Sequence, residues 1–254
     1  MSSLELKKIK ENLLSLSKKI NKKYDYQFSI GLAEGVTVTS RCGNVESIEH
    51  NQDNVLGVKV LYENRQGFAG TNNLSNESIE KTIEKAKNIA TNTQPDNCNG
   101  LPDSNFVTSD NMPKLNMYYP SDIDIKEIID ITHECEKSAF EYDKRINNSE
   151  GSSFSYTNNN TLIINSNGAD GMKQTTSFTL SCIVVAEDGK SKERDYEYSA
   201  ARDFKKLESP EKVGTQAGQK TISRLGARTI KTRVCPVLFS PEMSASIFSD
   251  FLSA

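Results

Sequence analysis

Histidine is scarce in this 254-residue chain, which has only His50 and His133. That scarcity limits the chemistry at once, because a His-rich zinc site built within one subunit has too few imidazoles to draw on. His133-Glu134 begins like a zincin helix motif, but Lys137 and Ser138 follow and no second histidine falls at helical spacing. His133 therefore reads as a helix-surface residue. Cysteine is present without order. Cys42, Cys98, Cys135, Cys182 and Cys235 are odd in number, scattered and never in a Cys-x-x-Cys pair, so neither a disulfide framework nor a zinc knuckle is indicated. The thiols are expected to be reduced and mostly to serve packing. Cys135 lies two residues from His133 on a helical stripe, a spacing that points the two side chains in different directions and excludes a thiol-imidazole couple.

Long apolar runs are also missing. Nothing approaches the roughly 20 residues that cross a bilayer, and the stretch from Met1 to Glu5 lacks the apolar core of a signal peptide. A cytoplasmic location with no membrane partner is expected. Positive charge is not in excess: 31 Lys and Arg face 34 Asp and Glu, for a net charge of -3. Phosphate binding needs a concentrated cationic surplus, so no nucleic-acid partner is expected. The basic residues Lys7, Lys8, Lys10, Lys18, Lys19, Lys22 and Lys23 fall on the solvated side of a predicted helix. Asn-x-Ser/Thr triplets such as Asn76-Glu77-Ser78 carry no meaning without secretion. No phosphate loop, dinucleotide fingerprint or Gly-x-Ser-x-Gly elbow occurs, and no catalytic or metal-ligating residue is assigned.

What is present is a folded chain, 35% apolar and 26% charged. Ser2 with Glu5 forms a capping-box signature, and Leu6, Ile9, Leu13, Leu16 and Ile20 follow at helical spacing. The period then changes to two. Phe28, Ile30 and Leu32 alternate in one strand, and Val36 and Val38 in another after Glu34-Gly35. Val55 to Leu61 leads through Asn64-Arg65-Gln66-Gly67 into Phe68-Ala69-Gly70, a hairpin. A second helix starts at Ser75 with Ile79, Ile83, Ala86 and Ala90 on one face, and a long irregular connection runs from Gln94 to Pro120. Ser121 with Asp124 opens a third helix carrying Ile125, Ile128, Thr132, Cys135, Ala139 and Tyr142.

Alternation returns in Phe154 and Tyr156, Leu162 to Ile164 and Phe178 to Val185, separated by the turn dipeptides Asn167-Gly168 and Asp188-Gly189. Ser209-Pro210-Glu211 starts a fourth helix that Gly226 terminates. Helices and strands in blocks predict an α+β fold, with mainly antiparallel sheet layers and packed helices. After a short strand over Val234, Val237, Leu238 and Phe239, a last helix carries Met243, Ile247, Phe248, Phe251 and Leu252. Nothing follows to cover it, so residues 1–228 are expected to form one domain and 229–254 the beginning of another, in a chain that is the front part of a longer protein. The alternating run Glu193-Arg194-Asp195-Tyr196-Glu197-Tyr198 is a candidate peptide-binding or partner-contact strand, with Arg194, Asp195, Tyr196 and Tyr198 as its site residues.

Five segments carry a resemblance: Arg41-Cys42-Gly43-Asn44-Val45-Glu46 with Leu56-Gly57-Val58 after it, Asn64-Arg65-Gln66-Gly67, the run Asp143 to Gly151, and Glu193 to Tyr198. In content, order and separation they resemble the TldD/PmbA metalloprotease family, long called modulators of DNA gyrase, and its PmbA branch in particular. The resemblance implies an α+β amino-terminal domain and an intracellular peptidase of two related subunits acting on unfolded or extended peptides, leader peptides among them. In the TldD-type subunit a helix bearing His-Glu-x-x-x-His binds zinc. The equivalent stretch here, Ser246 to Ser253, has no histidine. The implied role is thus a non-catalytic PmbA-type subunit without a cofactor of its own, beside a TldD-type partner that holds zinc. Its exposed last helix also suggests homo-association. A peptide-binding or assembly module with no part in proteolysis is the alternative.

Overall fold

The computed structural model describes residues 3–18, 20–106 and 115–253. Ser2 of the expected capping pair, Lys19 of the basic face, the middle of the 94–120 connection and the terminal Ala254 lie outside the described residues.

The fold is organised by one strand. In β1 (Asp25–Arg41) the side chains of Phe28, Ile30, Leu32, Val36, Val38 and Ser40 all point to one face and are buried. The expected break at Glu34-Gly35 does not occur, and the strand runs through it. A Cβ at residue 35 would collide with the carbonyl oxygen of Tyr156 on the next strand, so the glycine permits close strand approach and makes no turn. β1 turns into β2 (Asn44–Tyr62) through Cys42 and Gly43, whose φ values of 49° and 74° suit a two-residue hairpin. β2 turns into β3 (Arg65–Thr71) through Glu63 and Asn64, also at positive φ. This hairpin turn lies one residue earlier than the sequence suggested, so Arg65 to Gly67 already belong to the strand.

β4 (Ile146–Asn165), β5 (Asp170–Glu187) and β6 (Lys192–Ala201) complete a single antiparallel sheet in the order β3-β2-β1-β4-β5-β6. Helices cover one face in two groups. α1 (Ser3–Ser17) and α2 (Asn76–Asn92) bury Leu6, Leu13, Ile79, Ile83 and Ala86 against Phe28, Ile30, Leu56, Val58 and Leu162. α3 (Ile125–Tyr142) and α4 (Pro210–Arg224) bury Ile128, Cys135, Ala139, Val213 and Ala217 against Val38, Phe154, Phe178, Leu180 and Val184. The expected α+β class is therefore observed, as one sheet with helices on one side.

Local signals explain the helix ends. Ser75 and Ser209 cap α2 and α4, accepting from the Ser78 and Lys212 amides. α3 starts later than expected: Asp124 is itself the N-cap, accepting from Glu127 N at 2.8 Å, and Ser121 lies outside the helix. α5 (Pro241–Ser253) forms as expected, but Met243, Ile247, Phe248, Phe251 and Leu252 are all exposed. The expected strand over Val234 to Phe239 is absent. A strand needs a neighbour for its backbone groups, and no described strand lies beside it.

Candidate functional site

The sheet exposes two edges, and β6 is one of them. Its alternation sorts the predicted site residues onto opposite faces. Arg194, Tyr196 and Tyr198 turn to the uncovered face, where the tyrosine rings stack at 6.3 Å between centroids. Asp195 does not join them. It turns to the helix-covered face and pairs with Arg224 of α4, raising that guanidinium's pKa, while the adjacent Glu197 meets Lys220 at 2.9 Å. Arg194 is held by Glu150 of β4 at 2.7 Å, and this hydrogen-bonded pairing raises its pKa as well. The same carboxylates close the strand's outer backbone: Tyr196 N donates to Asp195 Oδ1 at 2.8 Å and Tyr198 N to Glu197 Oε1 at 2.9 Å. The surface β6 presents is therefore two stacked tyrosines beside the Arg194–Glu150 pair, with the outward amides of Tyr196 and Tyr198 already occupied.

The opposite edge was not legible as a site. From Asn44 to about Asn54, β2 is hydrogen-bonded to β1 on one side, but β3 reaches only the later part, pairing Leu56 to Tyr62 with Thr71 to Arg65. The early half has almost no buried side chain. It is nevertheless firmly held at its turn. Glu136 of α3 is 2% exposed, and its two carboxylate oxygens accept from Cys42 N at 2.9 Å and Gly43 N at 3.0 Å. Ser40 and Thr132 join β1 to α3 through a 2.7 Å hydroxyl bond, and Arg41 Nε donates to Ser149 O at 2.8 Å. Residues 44–54 hold Val45 and Ile48 among polar side chains and carry no apolar alternation, so the sequence signal for this half of the strand is the Cys42-Gly43 turn.

Beside that turn is a cavity of about 610 Å³ lined by Cys42, Gly43, His133, Glu136, Lys137, Phe140 and Glu141. His133 is half-buried, with Nε2 enclosed and unpartnered among the described residues, so it is not the fully surface residue expected. It packs where α3 meets the hairpin. Cys135 is core, as expected, and touches Cys182. The hydrogen bond between these buried thiols, with burial itself, pushes the Cys182 pKa up. Cys42, Cys98 and Cys235 are exposed, so packing accounts for only two of the five cysteines. Among the described residues no three His, Cys, Asp or Glu side chains gather as a metal site would require, and His50 and His133 lie on different elements. The described donor set does not compose a zinc shell. Among the described residues no helix is long and apolar enough to cross a membrane.

Comparison with known proteins places this architecture. The family described as PmbA/TldA metallopeptidase domain 1 matches residues 33–90, and the PmbA/TldA metallopeptidase central domain matches residues 118–225. Both stretches contribute to the one sheet. The Metalloprotease PmbA of Escherichia coli O157:H7 is 34% identical over 228 residues, covering 90% of this chain and 50% of that protein. A PmbA homolog of Buchnera aphidicola subsp. Acyrthosiphon pisum is 35% identical over 247 residues, covering 96% and 54%. The chain thus spans about half the length of the curated relatives it matches. Among solved structures, one from Bacteroides thetaiotaomicron, named for modulation of DNA gyrase, superposes with a TM-score of 0.80 at 18% identity, over 91% of this chain and 52% of that one. TldE from Thermococcus kodakarensis superposes with a TM-score of 0.66 at 18% identity, over 84% and 47%. At those identities the structures show a shared fold, while the sequence matches carry the kinship: this chain belongs to the PmbA/TldD metallopeptidase family.

Proposed function

We propose that this chain acts as a PmbA-type, non-catalytic subunit of a cytoplasmic metalloprotease assembly that handles extended or leader peptides. The observation that carries the reading is its likeness to PmbA over most of its length, joined to a terminal helix, α5, that contains no histidine. Zinc belongs in this reading to a TldD-type partner. There it would polarise the peptide carbonyl and activate water. The present chain supplies walls and peptide contacts, with Arg194, Tyr196 and Tyr198 on the open sheet face as a contact surface and Asp195 anchoring their strand to α4. Tyrosine joins an apolar ring to a polar tip, which suits the stacked tyrosine pair to an interface. The apolar residues of α5 serve association with a second chain.

The test is peptide cleavage measured with this chain alone, with a TldD-type partner alone, and with both. Chelator-sensitive cleavage that requires the partner and rises when this chain is added is the expected result. Cleavage by this chain alone would overturn its non-catalytic role. Peptide binding with no effect on cleavage would support the alternative, a binding module outside proteolysis.

A further inference from the structure

We infer that the free edge of β2 between Ile48 and Asn54 accepts an extended basic peptide as an added antiparallel or parallel strand. This deepens the reading above and rests on its extended-peptide part. The backbone parity comes from the turns. A two-residue hairpin makes its flanking residues a hydrogen-bonded pair, so Tyr62 faces Arg65 and the even residues of β2 direct N–H and C=O toward β3. The β1–β2 turn gives the same answer independently. Asn44 faces Arg41, and the register shift between Thr39 and Ser40 inserts one residue into β2, which moves the β1-facing set to the odd positions. Ile48, His50, Gln52 and Asn54 therefore direct their backbone groups outward, past the end of β3. Among the described residues none of these groups has a partner.

The edge is built for addition and not merely frayed. β1 fixes its register over its whole length, and Glu136 clamps its turn. Neither face is covered there, so an incoming strand meets no obstruction from a described helix.

Charge selects the occupant. Residues 44–54 include Glu46, Glu49 and Asp53 and no Lys or Arg. Glu49 and Asp53 share the open face, four positions or about 13 Å apart along the strand, and neither makes an ion pair among the described residues. A second copy of this edge would bring carboxylate against carboxylate, which opposes self-pairing. An added strand with Lys or Arg four residues apart places a cation over each acid, while its backbone supplies the sequence-independent part of the affinity.

The test uses the full chain and fluorescein-labelled probe peptides of neutral, strand-forming sequence, carrying two lysines four residues apart or two glutamates at the same places. Polarisation titration at low salt should show the lysine probe binding at least about tenfold more tightly. Methylating alternate backbone nitrogens of the probe should cost about tenfold in one phase and little in the other, because only one set faces the edge. Gln52→Pro, which deletes an outward N–H and leaves the ladder to β1 intact, should weaken binding similarly. Glu49→Lys with Asp53→Lys should reverse the charge preference. Equal affinity for both probes, indifference to both methylation phases, or no binding would overturn the inference. Should Gln52→Pro fail to fold, the methylated probes still decide the matter. Partner-dependent cleavage is measured in parallel. If it rises with this chain while the edge binds no probe, only the edge assignment fails; if the edge binds and cleavage never responds, only the proteolytic reading fails.

Discussion

The two edges of the sheet solve the same problem in opposite ways. At β6 the outward amides of Tyr196 and Tyr198 are taken by the carboxylates of the preceding residues, and those carboxylates are tied to Arg224 and Lys220 of α4. At β2 the outward groups of Ile48 to Asn54 meet no described partner, and this half of the strand is held through β1 and the Glu136 clamp. An unpaired edge is a template for another strand unless something closes it. Closure at Tyr196 and Tyr198 and exposure from Ile48 to Asn54 distinguish the two edges, and the second is the one proposed above to take a ligand.

The largest expected effect comes from Glu136→Ala. Two hydrogen bonds to a buried charged acceptor are lost together, a cost of about 3 kcal/mol or more. Denaturant unfolding should report that loss, and amide exchange should accelerate along residues 44–54 while Tyr196 and Tyr198 keep their protection. Equal acceleration at both edges would show that the sheet opens as one unit and that the contrast has no energetic content. A smaller effect, about 1 kcal/mol, is expected for Asp195→Ala, which removes the cap on Tyr196 N together with the Arg224 pair. Exchange at Tyr196 should rise with β2 unchanged. Unaltered exchange at Tyr196 would mean that α4, and not the carboxylate, closes that edge.

The smallest effect concerns neither edge and serves as a control. Asp143 at the α3–β4 junction is hydrogen-bonded by the Arg145 guanidinium and amide, which hold its pKa down at about 2 against an ordinary 3.8. Because the folded value is depressed, the stabilisation is complete above the unfolded pKa and fades as pH falls from about 3.8 through about 2. Asp143→Asn should flatten only that acid limb of a stability-against-pH curve and leave exchange at both edges alone. A change near neutral pH would assign Asp143 a different role.

Legibility in the sequence followed burial. Where one face of an element meets the core, as in Phe28 to Leu32, Ile79 to Ala90 or Ile128 to Ala139, the periodicity named the element and its inward residues. Where burial was lacking, the reading failed. The first half of β2 has no apolar period because no described helix covers it, and the apolar run at Val234 to Phe239 suggested a strand that has no neighbour among the described residues to pair with. Gly35 suggested a break, since a glycine signals freedom to turn and close approach with the same residue. The candidate site was legible in part. Alternation correctly placed Arg194, Tyr196 and Tyr198 together, yet Asp195 had to fall on the other face by that same period.

The sequence by itself determined the helices, the caps of α2 and α4, and the inward stripe of those strand segments that meet the core, because these follow from the side chains of a few neighbouring residues. It also determined the kinship with PmbA. Only the tertiary structure decided which strand edges are open. That property depends on how far β3 extends beside β2, on which carboxylates reach the outward amides of β6, and on where α3 and α4 lie over the sheet. Backbone N–H and C=O groups are the same at nearly every residue, so whether they are satisfied is set by what stands next to them in space.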